Sequence, residues 1–200
     1  MKKVVLTMAV LILLTGWCVR FYSLNGTIKV RPQNPIIEYS MNEAVSLTDC
    51  LSYSMIKQAD YDIAVVDARI VDANDYLLEI GKTSEDFLSL SERYLEITLD
   101  IVNNGDVENV FDLYGIPVLG TTWYTFLDVD ATNYINGFES SGFRDVLIKA
   151  SMDGHRKVKV AYRLFWKDFN TKQWNNLEDE KMWLSVTESP VSQRIAINVK

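Results

Sequence analysis

The amino-acid sequence predicts an all-β protein in which an antiparallel β-sandwich follows one apolar N-terminal segment. The sandwich is indicated by residues 94–101 and 157–166, where apolar side chains occupy every second position. Such alternation is typical of strands that bury one face. Strand-like segments recur about every 8–12 residues, which is the spacing of an antiparallel sandwich. The sequence contains neither a βαβ rhythm nor an internal repeat.

The length and charge of the chain limit its organisation and its partners. A chain of 200 residues suits one N-terminal segment and one domain. The formal net charge is −7, and Lys2, Lys3 and Arg20 all lie around the apolar segment. The rest of the chain carries 17 basic and 27 acidic residues, a net charge of −10. Phosphate contacts need a surplus of lysine and arginine, so we predict no nucleic-acid partner.

Residues 1–24 are predicted to be a signal-anchor segment that holds the protein in a membrane. The apolar stretch 4–19, extended by interfacial side chains to residue 22, approaches the roughly 20 residues that a spanning helix needs. Positive charge before the stretch predicts a single-pass protein with a cytoplasmic N-terminus and an extracytoplasmic domain. The residues expected to set the anchor are Lys2, Lys3, Trp17, Arg20 and Tyr22.

Two alternatives to an uncleaved anchor remain open for this segment. Conventional signal cleavage would produce a secreted domain, although small residues are poorly placed for cleavage near Cys18. Lipidation of Cys18 would produce a lipoprotein, but Trp17 occupies the preceding position, where a small residue is expected. In all three cases residues 26–200 lie outside the cytoplasmic membrane.

Residues 25–35 are predicted to be a linker, and residues 36–200 form the predicted β-sandwich domain. Two prolines and an Asn-Gly pair in the linker disfavour regular structure. In the domain, residues 61–72 predict a long strand with a β-bulge, because the apolar positions up to Val65 are out of phase with those from Ala68.

The middle of the domain is predicted to contain one helical segment and further strands. Thr83 and Asp86 have the spacing of a capping box, so residues 83–94 allow a short helix or turn. Strand 94–101 follows, and residues 115–130 supply one or two more strands.

The C-terminal part is predicted to consist of strands joined by turns. Asp153-Gly154 favours a tight reversal, so residues 146–152 and 157–166 are predicted to pair as a hairpin. The remaining segments are a polar loop and two strands separated at Ser189-Pro190, with the bounds 167–176, 182–188 and 193–200.

The order of these segments resembles a known group of proteins. The segments that carry the likeness are EYSMNEAVSL, YDIAVVDARIVD, RYLEITLDIVNNGD, LGTTWYTFLDVD and WLSVTESPVSQRIAINVK. They are similar to small exported Gram-positive proteins of unknown function, membrane-anchored or lipoproteins, with an immunoglobulin-like (telokin-like) extracellular domain. The resemblance implies an immunoglobulin-like β-sandwich outside the cell and transfers no functional residue. Many of those proteins have a proper lipidation cysteine, which this chain lacks.

The sequence contains no constellation typical of an enzyme or a metal site. Its one histidine, His155, follows a turn and is expected to be exposed, which is a poor position for a catalytic base. Cys50 is the one cysteine of the domain, so the ligands of a zinc site are lacking. Residues 128–137 begin like a calcium loop but have Asn133 where glycine is required. We therefore predict no enzyme activity, no cofactor and no bound metal.

Aromatic side chains are the remaining candidates for recognition. Tyr162 and Trp166 fit the core face of their strand. Trp183 falls on the outer side of its strand and Trp174 lies in the polar loop, so these two are the candidate partner contacts. Alternatively, Trp174 folds down over a sheet edge.

The function predicted from these observations is non-enzymatic binding of a protein or cell-envelope component by a membrane-anchored, extracytoplasmic module. Two alternatives remain open. One is a cell-envelope hydrolase that uses paired carboxylates, a chemistry that many pairs among 27 acidic residues would permit. The other is a structural accessory subunit of a membrane complex.

Overall fold

The chain divides into two units, residues 1–33 and residues 34–200. The computed structural model describes residues 14–17, 20, 34–47, 50–51, 57–58, 60–86, 91–105, 109–137, 147–150 and 154–199.

In the first unit the described residues, which include Trp17 and Arg20, are helical and exposed. No helix among the described residues combines the length and the apolar composition that crossing a membrane requires. Most of the predicted anchor and linker lies outside the described residues, including Lys2, Lys3, Cys18 and Tyr22.

The second unit is built mainly of strands. In chain order these are β1 (Ile36–Tyr39), β2 (Val45–Ser46), β3 (Cys50–Leu51), β4 (Lys57–Gln58), β5 (Tyr61–Asp72), β6 (Arg93–Asn103), β7 (Asn109–Asp112), β8 (Val118–Leu119), β9 (Tyr124–Thr125), β10 (Leu147–Ala150), β11 (His155–Leu164), β12 (Met182–Thr187) and β13 (Ser192–Ile197). The α-helices described between them are α1 (Ala73–Glu79), α2 (Val129–Asn136) and α3 (Thr171–Asn175). Single 3₁₀ turns lie at Ser84–Asp86, Trp166–Asp168 and Leu177–Asp179.

One layer of the second unit is an antiparallel four-stranded sheet with the order β11-β6-β5-β2. Strands β5 and β6 pair from end to end, and β11 pairs with β6 along its whole length. The register of β5 on β6 shifts between Val65 and Asp67. This shift confirms the β-bulge that the change of apolar phase in residues 61–72 predicts.

The other layer is a five-stranded sheet with the order β1-β13-β12-β8-β9. Strands β12 and β13 pair antiparallel, as predicted for the two C-terminal segments. Strand β1 is an exception, because it pairs parallel to β13 with Ile36 opposite Ser192. The expectation of a purely antiparallel sandwich is therefore wrong at this edge. Nearly the whole domain connects these two strands, so no tight hairpin fixes their relative direction.

The hairpin predicted through Asp153-Gly154 is wrong. Strand β10 pairs with β7, with Leu147 opposite Asp112, while β11 pairs with β6. The pairing of β11 with β6 forms a ten-residue ladder that places the alternating apolar side chains of β11 in the core.

The inner faces of the two sheets share one hydrophobic core, so the domain is a β-sandwich. Strands β6 and β11 contribute buried side chains at every second position, as the sequence predicts: Leu95, Ile97, Leu99, Ile101, Val158, Val160, Tyr162 and Leu164. The five-stranded sheet contributes Val118, Met182, Leu184, Val186, Ile195 and Ile197 to the same cluster. Burial of apolar surface between the sheets is the main stabilisation of this arrangement.

One end of the outer face of the four-stranded sheet is covered by α1 and α2. Tyr76 of α1 and Ala131 of α2 are buried in one cluster with Tyr94 of β6 and Ala161 of β11. The rings of Tyr76 and Tyr94 stack with their centroids 4.7 Å apart. The first part of strand β6, around Tyr94 and Glu96, is therefore buried on both faces, by the opposite sheet and by the helices.

Neither of these two helices is predicted by the sequence, although each begins at an aspartate N-cap. Asp72 accepts a hydrogen bond from the Asn74 amide (3.0 Å), and Asp128 accepts one from the Ala131 amide (3.2 Å). Gly137 ends α2 in the left-handed conformation, with φ at 63°. The segment that begins like a calcium loop is thus a capped helix, and both oxygens of Asp128 engage protein donors.

Glu96 lies on the helix-covered face of β6 and is buried there, although its place in the strand predicts a solvent-facing side chain. Its carboxylate pairs with Arg69 Nε and with Lys159 Nζ, each at 3.0 Å. Burial alone would raise the pKa of Glu96, but the hydrogen bonds from Arg69 and Lys159 outweigh it and hold the pKa below its ordinary value.

The substitution Glu96→Gln is expected to lower the free energy of unfolding at pH 7 by about 1–3 kcal/mol, because the charged acceptor becomes neutral. The folded-state pKa lies below the unfolded value of about 4.3, so the carboxylate stabilises the fold above that value. This stabilisation disappears as the pH falls through the folded-state pKa. Urea unfolding measured at pH 7 and below about pH 4 checks this. The difference in free energy of unfolding between parent and variant should be smaller at the acidic pH.

Glu79→Gln is the matched control, because Glu79 also pairs with Arg69 but is largely exposed. Glu79→Gln should lower the free energy of unfolding at pH 7 by less than Glu96→Gln does. If the free energies of unfolding of the parent and of Glu96→Gln differed by the same amount at both pH values, the role given to this carboxylate would be contradicted.

Candidate partner-binding groove

The outer face of the five-stranded sheet presents a row of apolar side chains to solvent. Trp183 on β12 lies opposite Ala196 on β13 and Leu119 on β8, and Leu119 lies opposite Tyr124 on β9. Directly opposed residues share a face of the sheet, so these four form one row across it. Tyr124 is 64% exposed and the other three are partly exposed. We call this set the outer-face row.

The tight turn between β8 and β9 positions one end of the row. Gly120 donates its amide hydrogen bond to the Trp123 carbonyl (2.8 Å). A Cβ atom on Gly120 would lie 2.2 Å from Cε2 of the Trp123 ring, so only glycine fits there without displacing the indole. Trp123 is buried, and the next residue, Tyr124, points to the outside.

Glu38 and Arg194 fix the indole of Trp183 on this face. The Arg194 guanidinium lies over the indole, 4.3 Å from its centroid, and Trp183 Nε1 donates a hydrogen bond to Glu38 Oε2 (3.3 Å). Arg194 also pairs with the Glu38 carboxylate and donates from Nε to Oε1 (3.1 Å). The hydrogen bond from Arg194 is the main reason why the pKa of Glu38 lies below its usual value. These three side chains form the Trp183 cluster.

An open groove of about 480 Å³ adjoins the Trp183 cluster. Its lining includes Trp183 and Ala196 of the outer-face row. Its border carries one lysine, Lys181, and four carboxylates: Glu38, Glu178, Asp179 and Glu180. The groove therefore combines an aromatic anchor with an acidic border, which suits a partner that offers basic and apolar side chains together.

Comparison with known proteins gives a family for this domain. Residues 36–193 match the family described as a domain of unknown function, DUF5028. The chain belongs to the DUF5028 family. No curated protein matches it.

Solved structures similar to this DUF5028 chain come from three bacteria. An uncharacterised β-sandwich protein of Clostridium difficile 630 is 10% identical, with a TM-score of 0.43 over 84% of this chain and 98% of that one. A conserved hypothetical protein of Bacillus anthracis is 11% identical, with a TM-score of 0.40 over 78% and 94% of the two chains. A functionally unknown protein of Listeria monocytogenes EGD-e is 11% identical, with a TM-score of 0.42 over 80% and 85%.

The two tryptophans predicted as partner contacts have different environments. Trp183 is partly exposed in the groove, on the outer side of its strand as predicted. Trp174 is only 8% exposed, because α3 turns its indole onto the core beside Phe169 and under the Arg93 guanidinium. The expectation of an exposed Trp174 is therefore wrong for this DUF5028 domain, and the alternative of a ring folded down on the sheet describes it better.

Trp166 also differs from its prediction. Strand β11 ends at Leu164, and Trp166 lies in the following 3₁₀ turn, 42% exposed. The alternation that places Tyr162 in the core therefore stops before it reaches Trp166. The Trp166 ring instead packs edge-on against Trp174, with the centroids 5.6 Å apart.

The ionisable residues named in the sequence analysis do not form a metal site. His155 is exposed at the start of β11, as predicted, and its Nε2 contacts Asp100 of β6. In the part of the chain that the structure describes, no group of three or more His, Cys, Asp and Glu side chains is arranged to hold a metal ion.

Sequence reasoning missed Glu38 and Arg194, the two residues that fix Trp183. The alternation of residues 193–200 does place Arg194 on the outside of β13, since Ile195 and Ile197 face inward. Glu38 is 156 residues away from Arg194 and meets it only because β1 pairs parallel with β13. No pattern within either segment signals this pairing.

Arg194→Ala should free the indole of Trp183 and raise the pKa of Glu38 toward its ordinary value, because the principal hydrogen bond to that carboxylate is lost. With 5-fluorotryptophan incorporated, the ¹⁹F spectrum should show the Trp183 resonance shifting while those of the other four tryptophans stay in place. Trp183→Phe identifies the resonance, and carboxyl NMR titration measures the pKa.

Arg156→Ala, which removes an exposed arginine from β11 of the other sheet, is the matched control and should move neither signal. An Arg194→Ala spectrum identical to that of the parent would contradict the Trp183 cluster.

Proposed function

We propose that this DUF5028 chain is a membrane-anchored, extracytoplasmic immunoglobulin-like module that binds a basic, apolar segment of an envelope protein without catalysing a reaction. The observation that carries the proposal is the groove beside Trp183. In this groove the fixed indole of Trp183 lies next to a border of carboxylates, on an accessible face of the five-stranded sheet.

Charge complementarity supports a basic partner segment. Within the described residues, Glu38 is the one of the four border carboxylates that pairs with an arginine. The region around the groove belongs to a part of the chain with a net charge of −10. Such a field attracts cationic partners and speeds their encounter, while it repels acidic ones.

The fixed geometry of Trp183 supports a binding role for this residue. Because Glu38 and Arg194 already hold the indole, a partner that packs against it does not have to order a free side chain. Tryptophan is among the residues that most often dominate binding energy at protein interfaces. The apolar side chains of the outer-face row offer area to bury next to the charged border.

The same geometry argues against a hydrolase at this groove. Glycoside hydrolysis requires one carboxyl group whose pKa is raised, so that it can act as a general acid near neutral pH. The Glu38 carboxyl has a pKa below its usual value because Arg194 donates to it.

Site-specific photo-crosslinking in the intact membrane tests the proposal. Benzoylphenylalanine at Ala196, in the groove, is expected to capture a protein through a segment that contains lysine or arginine beside apolar residues. Capture should be lost when Glu178→Lys is combined with Glu180→Lys, and should weaken at high salt because exposed charges are screened within about 3 Å at 1 M.

Matched controls separate the groove from the rest of the surface. Benzoylphenylalanine at Lys157, exposed on β11, should not capture the same protein, and Asp75→Lys on α1 should leave capture intact. Capture of a glycan or lipid, capture through an acidic segment, or no capture at Ala196 would overturn the proposal.

The anchor is tested by the fate of Cys18. Cys18→Ser should leave the chain at full length in the membrane fraction, because apolar residues 4–22 hold it there rather than a lipid. Intact-mass measurement of membrane-extracted parent and variant checks this. A parent chain that has lost its first 17 residues and gained lipid mass, or one released into the medium, would contradict the anchor.

A further inference from the structure

A second, smaller cavity of about 200 Å³ lies where the end of β9 leads into α2. It differs from the groove because aromatic rings and a buried ion pair border it together. Its lining residues are Tyr114, Phe126, Leu127, Asp128, Val129, Asp130 and Arg163. Pockets for drug-sized ligands measure about 300–1,000 Å³, so this cavity suits one small ring.

Aromatic side chains form the exposed border of the cavity. Tyr114 is 40% exposed and Phe126 is 43% exposed. The ring of Tyr124 packs edge-on against Phe126, with the centroids 5.6 Å apart, and continues the aromatic surface beyond the cavity. Aromatic rings left in contact with solvent offer flat apolar surfaces on which another ring can lie.

A buried carboxylate orients a guanidinium at the same cavity. Asp128 is buried, and its Oδ2 lies 3.4 Å from Arg163 Nε and accepts a hydrogen bond from Tyr94 (3.1 Å). The Arg163 side chain is about one-third exposed, and within the described residues its two Nη groups have no hydrogen-bond partner. The backbone of Arg163 is also fixed, because the Thr125 hydroxyl donates to its carbonyl (2.8 Å). The cavity therefore offers oriented N–H donors beside an apolar surface.

The charges around the cavity select against ionic ligands of either sign. A cation would meet the Arg163 guanidinium, whose free N–H groups need acceptors. An anion would meet the exposed Asp130 carboxylate and the acidic surroundings of the domain. A neutral ring with hydroxyl groups satisfies both, since it accepts from Arg163, donates to Asp130 and lays its C–H face on an aromatic ring.

We propose that this cavity binds a neutral pyranose ring, through hydrogen bonds to Arg163 and Asp130 and stacking on Phe126 or Tyr114. The proposal is independent of the protein partner assigned to the groove, because the two sites differ in lining residues and in ligand chemistry. The ring can belong to a free sugar or to a glycan, and the aromatic surface of Tyr124 outside the cavity favours a glycan.

Saturation-transfer NMR of the full-length protein in lipid nanodiscs tests the proposal. The neutral probes are methyl glycosides of glucose, galactose and mannose, together with N-acetylglucosamine and its trisaccharide. Choline and glucuronate are the charged probes. At least one neutral probe should bind saturably and the charged probes should not; tighter binding of the trisaccharide than of its monomer would identify a glycan as the source.

One variant in the cavity and two control variants locate the binding. Phe126→Ala leaves the Asp128–Arg163 pair intact and is expected to weaken sugar binding about tenfold or more, equivalent to 1.4 kcal/mol or more. Trp166→Ala removes an equally exposed aromatic ring outside the cavity and should have no effect, as should Trp183→Ala in the groove. Binding of only charged probes, of no probe, or of sugars unaffected by Phe126→Ala would overturn the proposal.

Discussion

The constraint on which the rest of the structure depends is the burial of the first part of β6, around Tyr94 and Glu96, on both faces. Alternate residues of β6 face the opposite sheet, while Tyr94 and Glu96 face α1 and α2. A charged side chain in that second layer is tolerated only with partners, because an unpaired buried charge is costly. Arg69 and Lys159, on the two neighbouring strands, supply them. The ion pairs thereby fix β5, β6 and β11 side by side beneath the helices.

The two sides of the sandwich are consequently unequal. Helices cover one end of the four-stranded sheet, so Glu96 at that end turns toward internal ion pairs. The five-stranded sheet keeps an accessible outer face, so its polar and aromatic side chains arrange themselves around Trp183 instead. An accessible aromatic row beside carboxylates is available for recognition in a way that the covered face is not.

The extent to which the sequence predicts this arrangement depends on the range of each interaction. Alternation within one segment correctly predicts the core residues of β6 and β11, the bulge in β5 and the outward side of Trp183. It fails for Trp166, because a strand's end depends on tertiary packing rather than on its own pattern. The helices α1 and α2 carry local capping signals at Asp72 and Asp128 that the prediction of strands did not use. The meeting of Glu38 with Arg194 depends on a contact between distant segments, which a single sequence does not reveal.

Asp128 illustrates how one local signal can be given two physical meanings. Acidic residues at 128 and 130 are compatible with an open calcium loop, yet one oxygen of Asp128 caps α2 and the other faces Arg163 and the Tyr94 hydroxyl. Burial raises the pKa of Asp128, and Arg163 opposes that effect. The arginine is therefore held in place by the same carboxylate that starts the helix. Asp128 therefore both caps α2 and orients the Arg163 guanidinium. Because both residues line the cavity beside Phe126, that cavity lies at the start of α2.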